Sequence, residues 1–198
     1  MRAELFHGPV FELGDLVLVN GTFPCPPGLP QEPLVPVHPA DGGILMTRRA
    51  AAMLNALMEE LGGWTAIVPV SGWRSQAEQQ AIWDDSMAKN GEEFTRKFVA
   101  YPGHSEHQTG LAIDLGLRGE AVDFIRPEFP YEGICQAFRE RMARYGFIQR
   151  YPAGKERVTG IAHEPWHFRY VGTPHAQLMT ERGLTLEEYH VLLGEAGA

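Results

Sequence analysis

His163-Glu164-Pro165-Trp166-His167-Phe168-Arg169-Tyr170-Val171 can be read in two ways, and the choice sets the fold. Its first five residues spell H-E-x-x-H, which on a helix places two imidazoles on one face for a metal. Pro165 stands against that reading, because it removes a backbone donor and disfavours a helical Glu164 before it. From Trp166 onward, WHFRYV is dense in aromatic and β-branched residues and predicts a strand. In a strand His167, Arg169 and Val171 share one face, and Trp166, Phe168 and Tyr170 the other. His163 then lies across an expected bend at Pro165, in no fixed relation to His167, and the helical motif is a coincidence of letters.

Strands and helices alternate irregularly on either side of this segment. LVLVN at 16–20, AIVPV at 66–70, LAIDLGL at 111–117 and FIQRY at 147–151 predict strands. A Pro-rich passage from Phe23 to Pro39 predicts an extended arm or loop, too rich in proline for helix or ladder. A helix is expected from Thr47 to Leu61, capped by Thr47 and ended by Gly62-Gly63. Ser75 and Glu78 have capping-box spacing for a second helix that Asn90-Gly91 interrupts. A third is expected over 132–145 and two more follow His167, the last opened by Thr185 and Glu188. With no regular βαβ beat, the fold class predicted is α+β, a small and mostly antiparallel sheet flanked by helices. The metal site would sit at the sheet and its adjoining loop. The 198 residues fit one domain, 1–198, with 1–43 forming an N-terminal strand and Pro-rich arm.

Composition narrows the function. A formal net charge of -8 offers no basic surplus for phosphates and excludes a nucleic-acid partner. The N-terminal MRAELFHGPVFELGD has no signal-peptide core, and no stretch approaches the roughly 18–20 apolar residues of a membrane span. Cys25 and Cys135 stand far apart in no metal spacing and read as reduced thiols. The expected location is the cytoplasm.

Of eight histidines, His104, His107, His163 and His167 gather around two short windows. Imidazole and carboxylate suit zinc, and a catalytic zinc keeps three protein ligands and one open position. Joining the windows gives a loop-and-strand set: His107 from the loop, Asp114 from the strand after it, His167 from a neighbouring strand. Glu164 is then free to approach the attacking water. A lone buried histidine is more often hydrogen-bonded core than ligand, and residue types alone do not decide between the two.

The string S-x-H-x-x-G-x-A-x-D at Ser105–Asp114, with E-x-x-H at Glu164–His167, resembles the D-Ala-D-Ala peptidases of vancomycin-resistance clusters. That group contains the VanX dipeptidases, VanY carboxypeptidases and bifunctional VanXY proteins. HSEHQTGLAIDLGL, DFIRPEFPYEGIC, YGFIQRY and HEPWHFRYVG look especially like VanXY, and the similarity runs from about Leu16 to Tyr189. SGWRS at 71–75 is similar to the family's S-G-Y-R-S, with Trp73 where Tyr is usual; an aromatic wall is kept and a hydroxyl lost.

The resemblance implies a Zn2+ cofactor on His107, Asp114 and His167, with Glu164 as general base. It implies that Arg74 stabilises charge on the scissile carbonyl oxygen, and that Ser105 and Gln79 contact substrate. The implied reaction is hydrolysis of the D-Ala-D-Ala bond in the free dipeptide, in peptidoglycan precursors, or in both. Alternatives are a cell-wall D,D- or L,D-carboxypeptidase trimming murein stem peptides, and a non-catalytic zinc domain. His104 and His163 are expected to stay outside the metal shell. Asp123, Glu128 and Glu132 read as solvated loop charges ahead of contacts to a dipeptide's ammonium.

Overall fold

The computed structural model describes residues 14–38, 43–119 and 122–196. Its centre is a four-stranded antiparallel sheet built from Ile67–Ser71 (β3), Ala112–Leu117 (β4), Phe147–Tyr151 (β5) and Glu164–Tyr170 (β6), in the order β3-β4-β6-β5. A smaller antiparallel pair joins Leu34–Pro36 (β1) to Leu45–Thr47 (β2). The helices are Arg48–Leu61 (α1), Gln76–Phe98 (α2), Gly133–Met142 (α3), Glu156–Thr159 (α4), His175–Arg182 (α5) and Leu186–Ala196 (α6). The fold is the α+β class expected from the sequence.

One face of the sheet is apolar. Ile113 and Leu115 of β4, with Phe168 and Tyr170 of β6, meet Leu54 and Leu57 of α1 and Phe138 of α3 in the main core. At roughly 25 cal/mol per Å2 of apolar surface removed from water, each such side chain contributes about 1.5–3 kcal/mol. Alternation along the strands then forces Asp114, His167 and Arg169 to the opposite face. These three are buried as well, so the sheet is covered on both sides. A second cluster, including Ile148, Met179, Leu186 and Tyr189, fastens α5 and α6 to the β5 edge.

Helix signals read from the sequence recur in the structure. Ser75 and Glu78 form a reciprocal capping box at the start of α2, and Thr185 and Glu188 exchange equivalent bonds before α6. Gly91 (φ 81°) breaks α2 into two helical segments. Gly62, in the left-handed region, ends α1 as expected, but the expected cap is not made: Thr47 precedes α1 with no side-chain cap bond. Both cysteines are free.

Three further expectations are corrected. LVLVN makes no strand: Gly14–Leu16 is a 3-10 turn and Val17–Val19 pairs with no ladder. The carbonyls of Asp15 and Val17 instead accept from the Arg169 guanidinium, and that of Leu16 bonds the His190 ring. The Pro-rich passage does enter a ladder: Leu34–Pro36 pairs with Leu45–Thr47, and Pro36 stands at the strand's end, where a missing amide donor is tolerated. Pro39 and the first thirteen residues, part of the expected N-terminal arm, lie outside the described residues.

The third correction concerns Pro165. No bend separates Glu164 from His167; both belong to β6, and Pro165 is tolerated there because the register with β5 is irregular. Gln149 pairs with Phe168 but Tyr151 with Glu164, so β6 carries two extra residues in that interval. This bulge re-aims Glu164, which a regular strand would send to the face opposite His167.

Candidate metal centre

Adjacent strands and one turn bring the site together. Asp114 and His167 are direct cross-strand partners on β4 and β6, and Ser71 at the end of β3 pairs with Asp114 from the other side. His107 sits on a 3-10 turn, Glu106–Thr109, closed by Gly110 at φ 72°. That turn had been expected as plain loop. The residue after β3, Gly72, approaches β2 so closely that a Cβ would stand 2.3 Å from the Leu45 carbonyl oxygen. Glycine therefore permits the approach that lets the Gly72 carbonyl accept from His107 Nδ1 at 2.6 Å.

His107, Asp114 and His167 are all buried, and each offers one ligand atom within 4.8 Å of the others. His107 Nε2 lies 3.2 Å from Asp114 Oδ2, and His167 Nδ1 lies 2.8 Å from Asp114 Oδ1. Because the Gly72 carbonyl can only accept, the proton of neutral His107 is on Nδ1 and its Nε2 lone pair faces a carboxylate. Two lone-pair atoms so placed repel unless a cation lies between them. Atoms bound tetrahedrally to one zinc, each about 2.0–2.2 Å from it, stand roughly 3.4 Å apart. The donor set and its spacing fit that ion.

Burial, followed by the positive charge of Arg74, pushes His107 down to about 4 and keeps it neutral. Burial acts the same way on His167, but the Asp114 carboxylate outweighs it and holds that ring up at about 9. A cation in the cluster would displace the Nδ1 proton. Asp114 is buried too, yet the two imidazoles hold it well below the usual carboxylate range. Glu164 differs: burial pushes it up to about 8 against the opposing pull of His167, with Asp114 adding like-charge repulsion. Its Oε2 lies 4.0 Å from His167 Nδ1.

These groups line one cleft with Arg74, Gln79, Ser105, Tyr151 and Trp166. Two buried polar atoms of its lining residues, Arg74 Nε and Gln79 Oε1, have no hydrogen-bond partner among the described residues. The Gln79 amide is oriented by its Nε2, which donates to the Ala100 carbonyl at 2.8 Å. All seven residues singled out from the sequence therefore share a single site. Trp73 does not line it, so the expected aromatic wall is supplied by Tyr151 and Trp166 instead.

His163 lies outside the cluster, its Nε2 2.6 Å from the Tyr131 hydroxyl, and His104 Nδ1 bonds the Asn20 carbonyl. Asp123 is exposed and accepts from the Ile125 and Arg126 amides of its own loop. Glu128 and Glu132 are exposed as well.

Sequence reasoning gave no role to Glu106 or Tyr151. Glu106 is a buried carboxylate whose Oε1 accepts from Arg150 Nε at 2.7 Å and Arg169 Nη1 at 3.0 Å. The Tyr151 ring lies over His167 with centroids 4.9 Å apart. Burial and the neighbouring Glu106 raise its phenol well above the ordinary value and keep it neutral. The available signal was an arginine inside each of two predicted strands, Arg150 in FIQRY and Arg169 in HFRYV, which demands a counter-charge once buried.

The family model of VanY, D-alanyl-D-alanine carboxypeptidase, matches residues 44–173. The chain belongs to this VanY family. It is 41% identical over 184 residues to the bifunctional D-Ala-D-Ala dipeptidase and D-Ala-D-Ala carboxypeptidase VanXYC of Enterococcus gallinarum, covering 92% of this chain and 97% of that one. Among solved structures, the D,D-dipeptidase VanXYg, in complex with a D-Ala-D-Ala phosphinate analog, superposes with TM-score 0.88 at 54% identity, covering 90% of this chain and 71% of that one. A glutamate-to-alanine variant of the D,D-pentapeptidase VanY from a VanB-type cassette, in complex with Zn(II), gives TM-score 0.75 at 31% identity, covering 90% and 99%. No helix among the described residues is long and apolar enough to cross a membrane.

Proposed function

We propose that this VanY-family chain is a zinc-dependent D,D-peptidase that hydrolyses the amide bond between two C-terminal D-alanines. The observation that carries the reading is the convergence of His107, Asp114 and His167 within 4.8 Å, with Glu164 Oε2 4.0 Å from His167 Nδ1. The D-Ala-D-Ala substrate is supported by the bifunctional relative and by the analogue-bound neighbour. A zinc held by the three ligands supplies Lewis acidity toward the carbonyl oxygen and the attacking water, whose pKa it lowers to about 7.

The chain's own residues do the rest. Glu164 takes the proton of the attacking water and delivers it to the leaving amine, moving between the carboxylate and carboxylic acid. With a cation held by the neighbouring cluster, Glu164 would start that cycle as the ionised carboxylate. Arg74 lines the cleft, where its guanidinium stabilises negative charge developing on the scissile carbonyl oxygen. Gln79 and Ser105 line the same cleft and contact the substrate there. Tyr151 and Trp166 exclude water around the reacting bond.

The same proposal takes the whole chain as one peptidase domain working in the cytoplasm on the free dipeptide, on precursor peptides, or on both. Release of D-alanine from D-Ala-D-Ala and from a pentapeptide ending in D-Ala-D-Ala, with zinc present, tests it. Turnover of either substrate that is abolished by a chelator and restored by zinc is expected. Release only from a tetrapeptide with an L,D bond would assign the wall-trimming activity instead.

A further inference from the structure

We infer that Glu106 is the positioning residue for His167, fixing which ring nitrogen His167 presents to the metal cluster. The inference rests on the zinc-site reading above and adds a residue to it. Glu106 is almost fully buried at 2% exposure, and a carboxylate there requires partners. Its Oε1 is satisfied by Arg150 Nε and Arg169 Nη1, while Oε2 lies 3.5 Å from His167 Nε2 and has no other protein donor among the described residues.

The two arginines cannot turn away to serve His167 differently. Arg150 spends Nη1 and Nη2 on Glu187 at 2.8 and 2.6 Å. Arg169 spends Nη2 on the Asp15 and Val17 carbonyls, both at 2.9 Å, and Nε on the Tyr170 carbonyl at 3.0 Å. Glu106 is thereby clamped, and its free oxygen is aimed at one atom.

A carboxylate clamped between two guanidiniums only accepts, so His167 Nε2 carries a hydrogen. The lone pair of the neutral ring is then on Nδ1, the nitrogen that faces Asp114 Oδ1 at 2.8 Å and the Glu164 side at 4.0 Å. Without Glu106 the ring is free to adopt the other tautomer or to turn about its Cβ–Cγ bond, and the third ligand is lost part of the time. Carboxylate partners of metal-bound imidazoles commonly alter metal affinity by about 10–100-fold.

The test is zinc affinity by chelator competition on the folded full chain, with no activity readout needed. Glu106→Gln is expected to weaken zinc about 10–100-fold. Glu106→Asp, which keeps the charge for the arginines but withdraws it from His167, is expected to fall between wild type and Glu106→Gln; it carries the test if the glutamine variant does not fold. Glu187→Gln disturbs the far end of the same network without facing His167, and is expected to lose thermal stability while keeping zinc within about threefold. Wild-type zinc affinity in a folded Glu106 variant, or an equal loss in Glu187→Gln, would overturn the inference. Asp114→Ala separates the two levels: if it binds zinc like wild type, the metal site itself is misplaced.

Discussion

His107 and His167 face Asp114 with opposite ring nitrogens, Nε2 at 3.2 Å from one and Nδ1 at 2.8 Å from the other. Each orientation has its own acceptor behind the ring. For His107 it is the Gly72 carbonyl, and for His167 it is Glu106. The proposed metal site is thus preorganised by groups that touch no metal.

Glu164 is placed beside the cluster and not within it. Glu164→Ala is expected to keep one zinc per chain and to lose hydrolysis by about 100-fold or more, the range of general-base catalysis. Steady-state D-alanine release alongside metal analysis checks both halves. Near-wild-type turnover in this variant would remove Glu164 as the base.

Arg74 lines the cleft, and burial lowers its pKa against the raising influence of Asp114 and Glu164. Arg74→Ala is expected to lower kcat by about 100–1,000-fold, the usual cost of one donor to a developing oxyanion. Zinc content should not change. A loss confined to KM would place the arginine on the substrate carboxylate instead.

Gly72 joins the fold to the site. A Cβ there would meet the Leu45 carbonyl oxygen at 2.3 Å, so Gly72→Ala must push the β3–α2 junction away from β2. A stability loss of about 1–3 kcal/mol is expected from the forced shift. Weaker zinc binding should accompany it, because the Gly72 carbonyl moves off His107. Thermal unfolding with and without zinc measures both.

Much of this was legible in the letters, and the failures have physical causes. The strand at WHFRYV, the capping boxes at Ser75 and Thr185 and the helix break at Gly91 are local signals, and local signals survive into the fold. LVLVN looked like a strand because its pattern is apolar, but its neighbouring strand never arrives. Its carbonyls are bonded by Arg169 and His190, from more than a hundred residues away. Pro165 looked like a bend because proline lacks a ladder donor, yet a bulge accommodates it in β6. Glu106 was hidden for the same reason as LVLVN: its partners, Arg150 and Arg169, are distant in sequence.

Glu106 also sets an acid dependence. Burial opposes its charge, but Arg150 and Arg169 outweigh burial and hold its pKa below the ordinary 4.5. A carboxyl with a depressed folded-state pKa binds protons more tightly in the unfolded chain. Its stabilisation is therefore complete above the unfolded value and lost as pH falls below about 4.5. Urea midpoints of zinc-free protein between pH 7 and pH 3 should fall steeply for wild type. Glu106→Gln should start lower at pH 7, by roughly 3–5 kcal/mol for a broken buried pair, and show a shallower acid limb.

The most direct test of the proposed centre is bound zinc in purified His107→Ala and His163→Ala. The loop-and-strand set predicts that His107→Ala loses its zinc and that His163→Ala retains one ion per chain. Zinc lost from His163→Ala and kept by His107→Ala would restore the helical H-E-x-x-H reading and contradict this account.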